Sequence, residues 1–139
     1  MPNDKLLTDK PALTLSGAKK IVAAAEAEAL KRNWPVVIAV VDDGGNLITL
    51  QRLDNAQFGS VDVAILKAKS AVAFKRPTKA WDETLAAGHL RVLGLPGVIP
   101  AEGGVPLIWQ GYILGAIGVS GVKSSEDGQI ARAGAAVLE

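Results

Sequence analysis

VVIAVVDDGGNLITLQRLD, residues 36–54, decides the fold class. Val36–Val41 is apolar on both faces, which marks a central strand. Asp42–Asn46 is turn chemistry, and on the turn preferences of aspartate, asparagine and glycine we assign it to a β-turn rather than to a metal or phosphate loop. Leu47–Leu53 then returns beside the first run, and the pair reads as a β-hairpin with Arg52 and Asp54 at its end.

Working outward, Thr14 or Ser16 can cap a helix through Lys31, with Leu15, Ala18, Val22, Ala25 and Ala29 near one face. Asn33, Trp34 and Pro35 stop it. On the other side Ser60 can cap a second helix to about Phe74, with Val61, Ile65, Ala68 and Val72 at helical spacing. Pro77 ends that helix, and Thr78 caps a short one bearing Trp81 and Leu85. Residues 88–104 form a glycine- and proline-rich loop with room for a short strand near Val98. Val105–Trp109 and Tyr112–Ser120 make a second hairpin around Gln110-Gly111. Ser124 or Ser125 caps the last helix, with Ile130, Ala133 and Val137 as its buried stripe. The order α-ββ-αα-ββ-α predicts an α+β fold: a central, mainly antiparallel sheet of about five strands flanked by helices. Residues 1–13 read as an N-terminal arm and residues 14–139 as a single domain.

The chain has 139 residues, 49% apolar and 21% charged, and fits a globular protein with its own core. Its net charge of +1, with no basic stretch interleaved with aromatics, argues against nucleic acid. There is no cysteine, so disulfides, thiolate nucleophiles and cysteine–metal sites are excluded. With no signal-peptide core and no apolar run of spanning length, the expectation is a cytoplasmic protein without a membrane segment. The apolar share is rich in alanine and valine. Thin cores of this kind favour burying further surface between subunits.

The glycines gather in PAEGGVPLIWQGYILGAIGVSG, residues 100–121, where six of 22 positions are glycine. Glu102-Gly103-Gly104 places a carboxylate beside two residues without side chains, so Glu102 is the candidate acid or base and the glycine N–H groups candidate anion donors. Gly115 and Gly118 fall on opposite faces of their strand, a spacing suited to a helix on one side and a partner or ligand on the other. Lys67 and Lys69 on the second helix, and Arg52 at its strand end, are candidate carboxylate anchors. Ser120 lacks the strand–turn–helix setting of a nucleophile and reads as a hydroxyl lining a cavity or bonding to backbone. His89, the single histidine, follows Gly88 at an expected helix end, where it can cap the helix or ligate a metal centre.

Several motifs in order, chiefly VVDDGGNL, the strand-end RLD, the helix ending FKRPT, and GGVP followed by GAIGVSG, resemble the GlcG/HbpS family of haem-binding or haem-degrading domain proteins. The resemblance spans about residues 13–138. A related domain closes the cobalamin adenosyltransferases of the PduO type. The resemblance implies a profilin-like fold, dimers that build larger homo-oligomers from tetramer to octamer, and haem as a possible cofactor, bound for degradation or sensing. The first helix, which carries a ligating histidine in some relatives, has none here, and the position of His89 often carries asparagine in relatives; haem would then bind through hydrophobic contact, with His89 or Tyr112 as the candidate iron ligand. An E-x-x-E iron motif of a secreted relative is also absent, and no other metal is expected.

Two further functions stand beside haem or tetrapyrrole binding. One is a cofactor-independent enzyme of the hydratase or isomerase type, moving a proton on a small hydroxy acid or carbonyl compound. It would use Glu102 as acid or base, Arg52 or Lys67 as anchor and Gly103/Gly104 as oxyanion donors. The other is an accessory or assembly subunit without chemistry. Whether the chain is an enzyme stays open on these residues.

Overall fold

The structure, a computed structural model, describes residues 6–139. The first five residues of the expected arm lie outside the described residues. The rest of the arm carries no regular structure before the first helix; Leu13 packs on the core and Lys10 reaches the first hairpin turn, 2.6 Å from Asp43.

Four antiparallel strands form the sheet in the order β2-β1-β4-β3: β1 (Val37–Asp42), β2 (Leu47–Arg52), β3 (Gly104–Trp109) and β4 (Tyr112–Ser120). The α+β fold expected from the two hairpins is present, with four strands instead of about five. The extra strand near Val98 does not form, because its backbone is used locally. The Val98 N–H donates to the Leu95 carbonyl and the Ile99 N–H to the Ser70 hydroxyl. A 3₁₀ turn, Leu90–Gly94, occupies the segment before it.

β1 is buried on both faces, as its unbroken apolar run requires. Ile38 and Val40 join Ile117 and Val119 in the main core under α1 (Leu15–Arg32) and α4 (Ser124–Ala135). Val37, Ala39 and Val41 face α2 (Gly59–Ala73) on the other side, which leads through Pro77 into α3 (Thr78–Ala86). Asp42 closes the first turn by accepting the N–H groups of Gly44 and Asn46 at 2.9 Å each. Those bonds, that of Asn46 first, hold its carboxyl below the ordinary aspartate range.

Thr14 caps α1 by accepting the Gly17 N–H at 3.0 Å. Leu15, however, is half-exposed, and Ile21 takes its expected place in the core. The other expected caps serve elsewhere. Ser60 lies inside the first turn of α2, where its hydroxyl meets Ser120, and Thr78 inside α3, where its hydroxyl meets Gly104. At α4 the Glu126 side chain reaches back to the Lys123 N–H, ahead of both serines. Val137 lies past the end of α4, in a closing 3₁₀ turn, and is exposed.

α2 departs most from expectation. Its buried face is Ser60, Ala64, Lys67, Ala68, Ser70, Ala71 and Val72, while the larger Val63 and Leu66 face outward. The reason lies in the sheet below. Gly104 and Gly118 are paired across β3 and β4. A Cβ on Gly104 would run into the Lys67 carbonyl, and one on Gly118 into the Ala64 carbonyl. The α2 backbone therefore rests on the glycines, and only small side chains fit around the contact. Gly118 is pressed by a helix as expected; Gly115 lies against the Val41 backbone of the neighbouring strand, so no ligand or partner is needed to account for it.

Candidate functional site

The Glu102-Gly103-Gly104 segment leads into β3 and lies against both α3 and α4. Its backbone is pinned from α3: the Glu102 N–H donates to Asp82 at 3.1 Å and the Gly104 N–H to the Thr78 hydroxyl at 2.9 Å. The Gly104 donor expected to serve an oxyanion is thus already used. Gly103 lies over Lys67, and a Cβ there would stand 2.8 Å from the Lys67 ammonium and 2.6 Å from the Val119 carbonyl oxygen. Close packing accounts for both glycines.

Lys67 is 2% exposed. Its ammonium donates to Asp127 at 2.9 Å and to the Val119 carbonyl at 3.0 Å, tying α2 to β4 and α4. It is committed to this interior pair and is closed to an outside carboxylate. Asp127, equally buried, also accepts the Val122 N–H at 3.1 Å. Burial pushes the Asp127 carboxyl above the ordinary aspartate range, against the pull of the Lys67 ammonium.

The Glu102 side chain turns outward along α4. Its Oε2 accepts from Arg132 Nη1 at 2.9 Å, and the side chain keeps only 12% of its surface exposed. It rests on Gly128, where any Cβ would overlap the carboxyl group. A glycine inside a helix costs about 1 kcal/mol relative to alanine, so α4 gives up stability to seat this carboxylate. Beside it opens a cleft of about 220 Å³ lined by Pro77, Lys79, Glu102, Gly104, Val105 and Arg132. Gly128→Ala tests the seat. In a Glu102→Ala background it is expected to add about 1 kcal/mol, the helix-propensity gain. With Glu102 present the gain should vanish. Equal gains in urea melts of both backgrounds would show that Gly128 does not serve Glu102.

The remaining candidates lie apart. Arg52 is exposed at the end of β2, in a cleft of about 540 Å³ that also contains Leu30, Trp34, Leu53 and Asp54. Lys69 borders a smaller depression, of about 280 Å³, against the Asp43–Asn46 turn. Ser120 is 6% exposed, and its hydroxyl bonds the Ser60 hydroxyl at 3.1 Å in place of the backbone or cavity role expected for it. His89 is exposed at the start of the 3₁₀ turn after α3, and Tyr112 is 44% exposed beside the second hairpin turn. The structure therefore unites Glu102, Gly103, Gly104 and Lys67, and leaves Arg52, Lys69, His89 and Tyr112 separate. Sequence reasoning missed Asp82, Arg132 and Asp127. Gly128 was the available signal, since a glycine in mid-helix asks what stands beside it.

The profile of the family described as "Haem degrading protein HbpS-like" matches residues 13–136. The chain belongs to this HbpS-like family. Among its relatives, Protein GlcG of Escherichia coli is 41% identical over 111 residues, covering 80% of this chain and 83% of GlcG. A double mutant of Streptomyces reticuli HbpS superimposes with a TM-score of 0.87 at 37% identity, covering 100% of this chain and 95% of that one. A crystal structure described as a PduOC:heme complex gives a TM-score of 0.83 at 28% identity, covering 93% and 96%. HbpS-like membership agrees with the resemblance read from the separated motifs. Among the described residues no helix is long and apolar enough to cross a membrane.

Proposed function

We propose that this chain is a haem- or tetrapyrrole-binding protein. The observation that carries the reading is membership of the HbpS-like family over residues 13–136, together with a structural neighbour of the same fold described in complex with haem. The Arg52 cleft offers a seat among the described residues. Leu30, Trp34 and Leu53 offer apolar and aromatic surface to a flat macrocycle, and Arg52 a cation to a propionate. The residues lining it include no histidine, cysteine, methionine or tyrosine to ligate iron. The fit is to the ring and its propionates and not to the metal. When bound, haem would supply redox and oxygen chemistry, and the residues of the cleft hold and orient the ring.

Haemin titration followed in the Soret region tests this. A saturable shift is expected in wild type, weakened about tenfold in Arg52→Glu, the scale of one lost charged hydrogen bond turned repulsive. His89→Ala is expected to leave the titration unchanged, because His89 follows α3, which packs on α2 and β3, whereas the cleft lies between α1 and β2. No saturable shift in wild type would sink the proposal; loss in His89→Ala alone would move the site to the end of α3.

A further inference from the structure

We propose that the cleft at the β3 edge binds a small carboxylate bearing an amino or hydroxyl group on the neighbouring carbon. The inference does not rest on the haem reading, since this cleft shares no lining residue with the Arg52 cleft. Two cations face it. Arg132 uses Nη1 on Glu102 and keeps further guanidinium N–H groups, while Lys79 lies a loose 3.9 Å from Glu83. Together they can clasp one carboxylate. Glu102 supplies the opposite function. Its Oε2 is held by Arg132, and among the described residues no protein donor reaches Oε1. That oxygen is a fixed acceptor for an ammonium or hydroxyl on the ligand. Pro77 and Val105 form apolar wall between these poles.

Size and charge narrow the class. A volume of about 220 Å³ lies below the roughly 300–1,000 Å³ usual for drug-sized ligands, so the cleft suits a compact molecule of few heavy atoms. Glu102, with Asp82 and Glu83 on α3, opposes a second negative group on the ligand. A plain monocarboxylate satisfies the cations but leaves Glu102 Oε1 desolvated and without a donor, so the donor on the neighbouring carbon sets specificity. The Gly128 seat and the Asp82 and Thr78 bonds hold the acceptor in place.

The test is amide NMR titration of the full chain with L-alanine, L-lactate and propionate. Alanine and lactate are expected to give saturable shifts confined to residues around Lys79, Glu102, Val105 and Arg132, alanine tighter because its ammonium pairs with Glu102. Propionate should bind at least about tenfold more weakly, the worth of a lost charged hydrogen bond. The paired variant Lys79→Gln/Arg132→Gln, both surface side chains, should abolish the alanine shifts while its thermal melt stays cooperative. Unsaturable or scattered shifts with alanine and lactate would overturn the proposal. So would equal affinity for propionate, or wild-type binding by the paired variant.

Discussion

Gly118→Ala is expected to destabilise the protein by about 3 kcal/mol, the upper part of the overpacking range, and to lower Tm by about 10 °C. The added methyl would overlap the Ala64 carbonyl and stand 2.6 Å from the Ala68 backbone nitrogen. Neither group can step aside, because both belong to the hydrogen-bonded backbone of α2. The helix would have to lift from the sheet and loosen its contacts with Val41, Ala116 and Val37. Gly118→Val should leave no cooperative transition. Gly94→Ala is the control: nothing lies within 4 Å of its added carbon, and a change within about 0.5 kcal/mol is expected. If thermal melts of the two alanine variants coincide, α2 does not rest on the sheet at Gly118.

The second large effect belongs to Lys67 and Asp127. Breaking a buried pair from one side costs about 3–5 kcal/mol, because the remaining charge is uncompensated. Asp127→Asn and Lys67→Met should both fall in that range. In Lys67→Met, the lone Asp127 holds its proton more firmly than in the wild type, where its carboxyl already lies above the ordinary range. The folded state then binds more protons, so stability falls as pH rises from the unfolded aspartate value through the raised folded one. The double variant Lys67→Met/Asp127→Leu should recover most of the loss, since apolar replacement of a buried pair is often neutral. Urea melts from pH 4 to pH 9 check all three. Losses well below that range, or a Lys67→Met stability that does not fall as pH rises, would show that the buried charges are not what those substitutions expose.

Much of the fold was legible because its signals are local. The run VVIAVV announces a strand buried on both faces, the DDGGN turn joins it to its neighbour, and Thr14 begins α1. These features depend on residues within one turn or one hairpin. The missing fifth strand shows the limit. Val98 has strand chemistry, but an available ladder position is a property of the sheet, and the loop's N–H groups had closer acceptors in Leu95 and Ser70.

The candidate site was half legible. Glu102 stood out beside two glycines, yet its partner Arg132 lies 30 residues further along. Lys67 stood out as a cation bordering a buried stripe, and its partner Asp127 lies 60 residues away. By itself the sequence determined the order of helices and hairpins, the antiparallel sheet and the family motifs, because backbone propensity, capping and apolar periodicity act over a few residues. Only the tertiary structure decided which charges meet. The packing of α2 on Gly104 and Gly118 draws Lys67 inward to Asp127, and the packing of α4 sets a largely covered Glu102 beside Arg132. Pairing of charges depends on distance and burial, and neither exists until the elements are packed.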